Sequence, residues 1–114
     1  MKDTLFILRP GFFKDADGPF YCGDSVSVEG LLSFYPQLRG AVDVEYIDAP
    51  RPRQAIVARI GEDNQSAPVL VLGNGQTPKD GAIAVQEHNG TRFINDPADI
   101  RRYLSSQYGV AHVA

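Results

Sequence analysis

Blocks of apolar residues along the chain predict the strands. "TLFILRP" (residues 4–10) is apolar without interruption as far as Leu8, which is typical of a strand buried on both faces. "DVEYIDA" (43–49) alternates enough for a second strand, and "SAPVLVLG" (66–73) predicts a third. "AIAVQEHNGTRFI" (82–94) predicts two short strands joined by an Asn-Gly turn. The segment "GFFKDADGPFY" (11–21) is expected to be a loop.

Three other segments have the spacing of helices. After Gly23, apolar residues recur at intervals of three and four: Val28, Leu31, Leu32, Tyr35 and Leu38. "RPRQAIVARIG" (51–61) predicts a short helix with Pro52 in its first turn and Gly61 at its C-cap. "NDPADIRRYLSSQYG" (95–109) predicts a longer helix with Asp96 as N-cap.

The order β-α-β-α-β-β-α predicts one α/β domain over residues 1–114. The strand–helix–strand start favours a parallel pair with a right-handed crossover, and the later hairpin makes the sheet mixed. We therefore expect a mixed four-stranded sheet with helices on both faces, an α/β/α sandwich.

Composition narrows the function classes. The formal net charge of −3 argues against nucleic acid, because phosphate binding needs a basic surface. A single cysteine excludes an internal disulfide and favours a reducing cytoplasm. The apolar run Thr4–Leu8 is too short for a signal-peptide core or a membrane span, and His88 and His112 show no zinc-site spacing. We expect a cytoplasmic protein without metal, membrane or nucleic-acid partner.

Three segments resemble one superfamily. "CGDS" (22–25) begins the helix after the first strand, "SAPVLVL" places Pro68 at the start of a strand, and "FINDPADIRRYL" (93–104) opens the last helix. They resemble the thioredoxin-fold superfamily of the glutaredoxin and glutathione-transferase N-domain kind, with its Cys-x-x-Cys or Cys-x-x-Ser motif and its cis-proline. With "RPRQ" and "NQSAPVLVL", the chain also resembles an uncharacterised bacterial thioredoxin-like family of unknown function.

This resemblance implies a monothiol thiol–disulfide oxidoreductase with Cys22 as nucleophile and Ser25 in the place of a second cysteine. Helix N-terminal amides stabilise a thiolate, whereas the Asp24 carboxylate works against it. Without a second cysteine, another thiol such as glutathione has to release the product. Glutathione and protein thiols or disulfides are thus the expected partners, and no resident cofactor is expected.

The resemblance also implies substrate contacts. A cis peptide bond between Ala67 and Pro68 would face the cysteine and leave the Ala67 backbone to pair with glutathione or an extended peptide. Asp96 would hold the γ-glutamyl amine, and Arg9 would attract a carboxylate. Two further arginines, Arg51 and Arg53, are read as exposed residues around a helix start that would bind an anion if placed near the site.

Simpler interpretations stay open. A lone cysteine is commonly a packing residue, an N-cap role fully explains Asp96, and Arg9 fits a solvated surface charge. The rival function is a non-catalytic interaction module. Its sheet edges and aromatic loop would form the partner surface, and a homodimer is one version of this hypothesis. A third alternative is the iron–sulfur chemistry of monothiol glutaredoxins, but Asp24 replaces the aromatic residue of their Cys-Gly-Phe-Ser motif, and their Gly-Gly-x-Asp motif is missing.

Overall fold

The computed structural model describes all of residues 1–114 as a mixed α/β structure. Its strands are β1 (Thr4–Leu8), β2 (Phe12–Lys14), β3 (Asp17–Phe20), β4 (Asp43–Ile47), β5 (Val69–Val71), β6 (Gln86–His88) and β7 (Thr91–Ile94). Its helices are α1 (Gly23–Phe34), α2 (Leu38–Ala41), α3 (Gln54–Ile60) and α4 (Pro97–Tyr108). None of these helices has the length and apolar character needed to cross a membrane.

The main sheet has five strands in the order β4-β1-β5-β7-β6, so the expected number of four is wrong. The order β-α-β-α-β-β-α counts one strand fewer than the five strand segments that the apolar pattern indicates. Both arms of the hairpin join the sheet, since β6 pairs with β7 and β7 pairs with β5. The hairpin turn is the predicted Asn89-Gly90, and both residues have the positive φ that this two-residue turn requires (47° and 83°). The parallel pair is β1 with β4, as predicted, and the remaining pairs are antiparallel.

The segment expected to be a loop forms a separate two-stranded ribbon of β2 and β3. Phe12 pairs with Phe20, and their rings lie 6.4 Å apart in a tilted arrangement. The Gly11 N–H also donates to the Phe20 carbonyl, at 2.8 Å. Strands of three and four residues are too short to show an alternating pattern, and Pro19 within β3 masks the signal further.

The helix predicted over 51–61 forms, but it begins at Gln54 rather than in the turn that holds Pro52. Arg53 is its N-cap residue, and the Arg53 N–H donates to the side-chain oxygen of Gln65 at 2.8 Å. This bond satisfies an amide at the helix N-terminus that has no acceptor within the helix. Gly61 ends the helix, as predicted.

Strand β1 separates two apolar cores. Leu5 and Ile7 pack with residues of α1 and α4 on one face, whereas Phe6 and Leu8 pack with α3 on the other. All five residues of β1 are buried, which explains its continuous apolar run. Helices therefore cover both faces of the sheet, as predicted.

A buried carboxylate ties the start of β1 to the rest of the structure. Asp3 is 0% exposed, and its Oδ2 accepts from the hydroxyls of Tyr103 and Tyr108 at 2.5 and 2.6 Å. Its Oδ1 accepts from the Gly73 N–H at 2.8 Å. Burial, and then the hydrogen bond to Asp3, raises the pKa of both tyrosines well above the ordinary value. One side chain thus joins β1, α4 and the chain that leaves β5.

Replacing Asp3 by alanine will lower the free energy of unfolding by about 3 kcal/mol, because three buried donors lose their acceptor. Urea unfolding followed by circular dichroism measures the change. Asp63→Ala is the matched control, since Asp63 is exposed, and it should change stability by no more than about 0.5 kcal/mol. Equal effects of the two substitutions would contradict the anchoring role of Asp3.

Gly73→Ala will destabilise the fold, because a Cβ at this buried position would overlap the backbone carbonyl oxygen of Met1. The matched control is Gly30→Ala within α1, where a Cβ meets nothing within 4 Å. That change should stabilise by up to about 1 kcal/mol through helix propensity. Melting temperatures that shift in the same direction for both variants would contradict this packing.

Candidate functional site

The strand arrangement brings the predicted site residues to one edge of the sheet. Strands β1, β4 and β7 end at this edge, and β5 begins there, because β5 is antiparallel to both β1 and β7. The last pair on this side is Leu70 with Ile94, and beyond it Pro68 lies just before β5 and Asp96 just after β7. The predicted residues at or near this edge are Arg9, Cys22, Ser25, Ala67, Pro68 and Asp96.

Cys22 is the N-cap residue of α1. Its Sγ accepts a hydrogen bond from the Ser25 N–H, with an N···S distance of 3.4 Å. The sulfur thus takes the place of the hydroxyl or carboxylate oxygen that usually caps a helix, where amide dipoles favour negative charge. On its other side the thiol donates to the Ala67 carbonyl at 3.9 Å, a contact that only the protonated thiol can make. The sulfur therefore accepts one hydrogen bond and donates another.

Ser25 contacts the sulfur through its backbone and not through its hydroxyl. The side chain is 2% exposed, and its Oγ accepts from the Leu8 N–H at 3.1 Å. This bond ties the end of β1 to the first turn of α1. Ser25 therefore holds Cys22 in position, and this role was not expected from the sequence.

The peptide bond between Ala67 and Pro68 is cis, as predicted, and it lies just before β5. Ala67 is half-buried and packs against the same apolar core as Cys22. Its backbone carbonyl is the group that meets the thiol. Two of the three segments that carried the resemblance, those with Cys22 and with Pro68, are thus in contact although they lie far apart in the sequence.

Asp96 and Arg9 both have partners within the chain. Asp96 caps α4 by accepting from the Asp99 N–H at 3.1 Å, and it makes no contact with Cys22. Arg9 Nη1 donates to Asp48 at 2.9 Å in an exposed ion pair. The charge of Arg9 is therefore compensated beside β4 and is not directed at the thiol.

The positive charge of Arg53 interacts electrostatically with Cys22. Its guanidinium donates to the carbonyls of Ala49 and Gln65 at 2.9 and 2.8 Å, and it has no carboxylate partner. Burial, with a smaller contribution from Arg51, lowers the pKa of Arg53, whereas Cys22 acts in the opposite direction. From the sequence Arg53 was read as exposed, since nothing local shows that the segment at Gln65 folds over it.

Cys22 lies beside a cleft of about 320 Å³ between α1, the end of β1 and the edge strand β4. Its lining is mainly apolar: Ile7, Leu8, Pro10, Tyr21 and Val26, with Ser25, Glu29 and Tyr46. The Glu29 carboxylate accepts from Arg39 at 2.6 Å and from the Tyr46 hydroxyl at 2.8 Å. The hydrogen bonds that the Arg39 guanidinium donates, first to Glu29 and then to Tyr46, raise the pKa of Arg39. The sequence did not predict this cleft, because its walls come from three separate elements.

Metal ligands do not converge in the structure. No three histidine, cysteine, aspartate or glutamate side chains lie close enough together to hold a metal ion. His88 packs its ring against Gly61, and His112 lies near Asp80 in the C-terminal segment. Cys22 is the only free thiol.

The comparisons with known proteins give one match. A family model described as "Protein of unknown function (DUF3088)" matches residues 2–112, which is nearly the whole chain. No curated protein and no solved structure shows a significant match to it.

Arg53→Gln will slow alkylation of Cys22 by iodoacetamide at pH 7 by about threefold, because a nearby positive charge that favours the thiolate is lost. The rate at pH 9.5, where thiolate is abundant, serves as the reference for accessibility. Arg9→Gln is the matched control and should leave the rate unchanged, since Asp48 compensates Arg9. Equal slowing by both substitutions would remove Arg53 from the site.

Proposed function

The chain belongs to the DUF3088 family of proteins of unknown function, and we propose that it is a monothiol thiol–disulfide oxidoreductase with Cys22 as its nucleophile. One observation carries the proposal: the Cys22 sulfur caps α1, contacts Ala67 and borders an apolar cleft. A sulfur that only packed in the core would have no reason to be half-exposed at a helix N-terminus beside a cleft.

We also propose that the arrangement is thioredoxin-like. Four features support this. A helix that starts after the cysteine follows β1, β1 is parallel to β4 and antiparallel to β5, and a proline precedes β5. The fourth feature is the contact between Cys22 and Ala67, which joins two of the three segments of the resemblance. The additional ribbon of β2 and β3 lies between β1 and the cysteine.

The reaction needs only one sulfur of the protein. The Cys22 thiolate attacks one sulfur of a disulfide R–S–S–R, whose S–S bond breaks, and R–S⁻ leaves and takes a proton from water. The product is a mixed disulfide between Cys22 and R. A second thiol, such as glutathione, then attacks the R sulfur through its own thiolate and releases the Cys22 thiolate. The R group leaves as a mixed disulfide with this external thiol. A second external thiol then attacks that mixed disulfide and releases R–S⁻, so the substrate disulfide is reduced to two thiols and the two external thiols are oxidised to one disulfide.

Glutathione is the proposed co-substrate, in a cytoplasm where it is abundant. Arg53 is the best placed cation for one of its carboxylates, because its charge has no carboxylate partner and acts at Cys22. The Ala67 backbone would align the peptide, and Asp96, just after β7, would attract the amine. Arg9 is a weaker candidate, since Asp48 already binds it.

A non-catalytic interaction module, acting as a homodimer or with another protein, is the second candidate function. Exposed aromatic side chains favour it: Phe13, Tyr21 and Phe34 are 60%, 66% and 83% exposed. Large apolar side chains grouped on a surface are typical of interaction sites. This function would not depend on the sulfur of Cys22.

Cys22→Ser will abolish the reduction of bis(2-hydroxyethyl) disulfide by glutathione. The assay measures the oxidation of NADPH as glutathione reductase reduces the oxidised glutathione that forms. The matched control is the double variant Cys22→Ser/Ser33→Cys, which moves the thiol to an exposed position near the end of α1. It should be inactive too, because its sulfur lacks the amides of the helix N-terminus. Turnover that survives in Cys22→Ser, or returns in the double variant, would reject the proposed site.

A further inference from the structure

We infer that the cleft beside Cys22 binds an uncharged, apolar arm of the disulfide substrate, with a hydrogen-bond acceptor of that arm against Ser25. This inference rests on the proposed thiol exchange and names its substrate class. Three observations support it. The cleft is lined mainly by apolar side chains, its one charged residue is already bound, and the Ser25 hydroxyl at its wall can donate a hydrogen bond.

The walls of the cleft are suited to an apolar group. Leu8 and Ile7 are buried at its base, whereas Tyr21 and Val26 are 66% and 49% exposed at its sides. Covering these two side chains would remove apolar surface from water, which stabilises a complex by roughly 25 cal/mol for each Å². Because Cys22 lies between them in the sequence and lines the same cleft, an arm attached to its sulfur would reach both.

No lysine or arginine lines the cleft to pair with an ionised arm, because Arg53 is not among the lining residues. Among the nine lining residues, Glu29 is the only carboxylate and there is no lysine or arginine. Glu29 is already bound by Arg39 and Tyr46. A carboxylate arm would lose water without gaining a cation, and would be repelled by Glu29. The cleft therefore selects against the charged ends that a molecule such as glutathione carries.

Ser25 provides the polar contact. Its side chain lines the cleft and is 2% exposed, and its Oγ accepts from the Leu8 N–H. Within the protein this hydroxyl acts as an acceptor only. An apolar arm without an acceptor would displace water and leave the buried donor without a partner, whereas a substrate oxygen placed here would accept its hydrogen bond. A carbonyl close to the reacting sulfur has the required chemistry.

The arm that occupies the cleft is the one that becomes attached to the protein. The Cys22 thiolate attacks the sulfur that carries this arm, the S–S bond breaks, and the other half leaves as a thiolate and is protonated. The mixed disulfide keeps the apolar arm in the cleft. The thiolate of a small thiol then attacks the arm's sulfur, the bond between that sulfur and Cys22 breaks, and the arm leaves as a mixed disulfide with the small thiol while Cys22 returns to its thiolate.

Matched symmetric disulfides test the substrate class. The probes are dithiodiglycolate, its bis(benzylamide), and a dialkyl disulfide without a carbonyl. Intact-mass spectrometry measures the rate of mixed-disulfide formation on Cys22, and each rate is divided by that of an unstructured cysteine peptide. The bis(benzylamide) should react about tenfold faster than dithiodiglycolate, because its arm buries apolar surface and has no charge. It should also react faster than the dialkyl disulfide, because of Ser25.

Two asparagine variants place the effect in the cleft. Val26→Asn puts a neutral polar group in the apolar wall and should slow the bis(benzylamide) about tenfold, while bis(2-hydroxyethyl) disulfide changes less than about twofold. Phe34→Asn is the matched control, since Phe34 is exposed on the same helix but outside this cleft. It should change neither rate. Neutral substitutions leave the charge around Cys22 as it is.

The outcomes separate the two proposals. If Cys22 forms mixed disulfides with every probe at equal normalised rates, thiol exchange stands and the substrate class is wrong. If Val26→Asn and Phe34→Asn behave alike, the cleft is not the binding site. If Cys22 reacts with none of the disulfides, both the proposed function and this inference fail.

Discussion

The candidate site depends on one buried hydrogen bond, from the Leu8 N–H to the Ser25 hydroxyl at 3.1 Å. Leu8 is the last residue of β1, and Ser25 lies in the first turn of α1. The bond joins two segments separated by the whole β2–β3 ribbon and sets where the helix starts relative to the sheet. As a consequence, the Cys22 sulfur lies against the Ala67 carbonyl, because the same sulfur accepts from the amide of Ser25.

A second buried polar group holds the other end of the same strand. Asp3 accepts from two tyrosines of α4 and from Gly73, so the start of β1 is bound as tightly as its end. Between these points, the strand packs its alternate side chains into two apolar cores. Strand β1 is thus held at both ends and buried along its whole length, and it gives the helix that begins after Cys22 a rigid support.

The Cys22 sulfur takes part in two hydrogen bonds of opposite direction. It accepts from the Ser25 N–H and donates to the Ala67 carbonyl. The site also combines chemically different neighbours, because Cys22 lines a mainly apolar cleft and the charge of Arg53, which has no carboxylate partner, acts on it.

The sequence alone determined the elements that depend on local signals. Apolar spacing and end residues predicted three of the four helices and five of the seven strands, and they placed Cys22 at a helix start and Asp96 at a helix N-cap, because caps and periodicity involve residues three or four positions apart. Only the tertiary structure decided which distant groups Asp3, Ser25 and Arg53 bind. These partners lie from 12 to 105 positions away along the chain, and only the bonds of Arg53 to Ala49 and of Ser25 to Cys22 are local. Contacts over such separations follow from how the elements pack together, and no local pattern of residues encodes that packing.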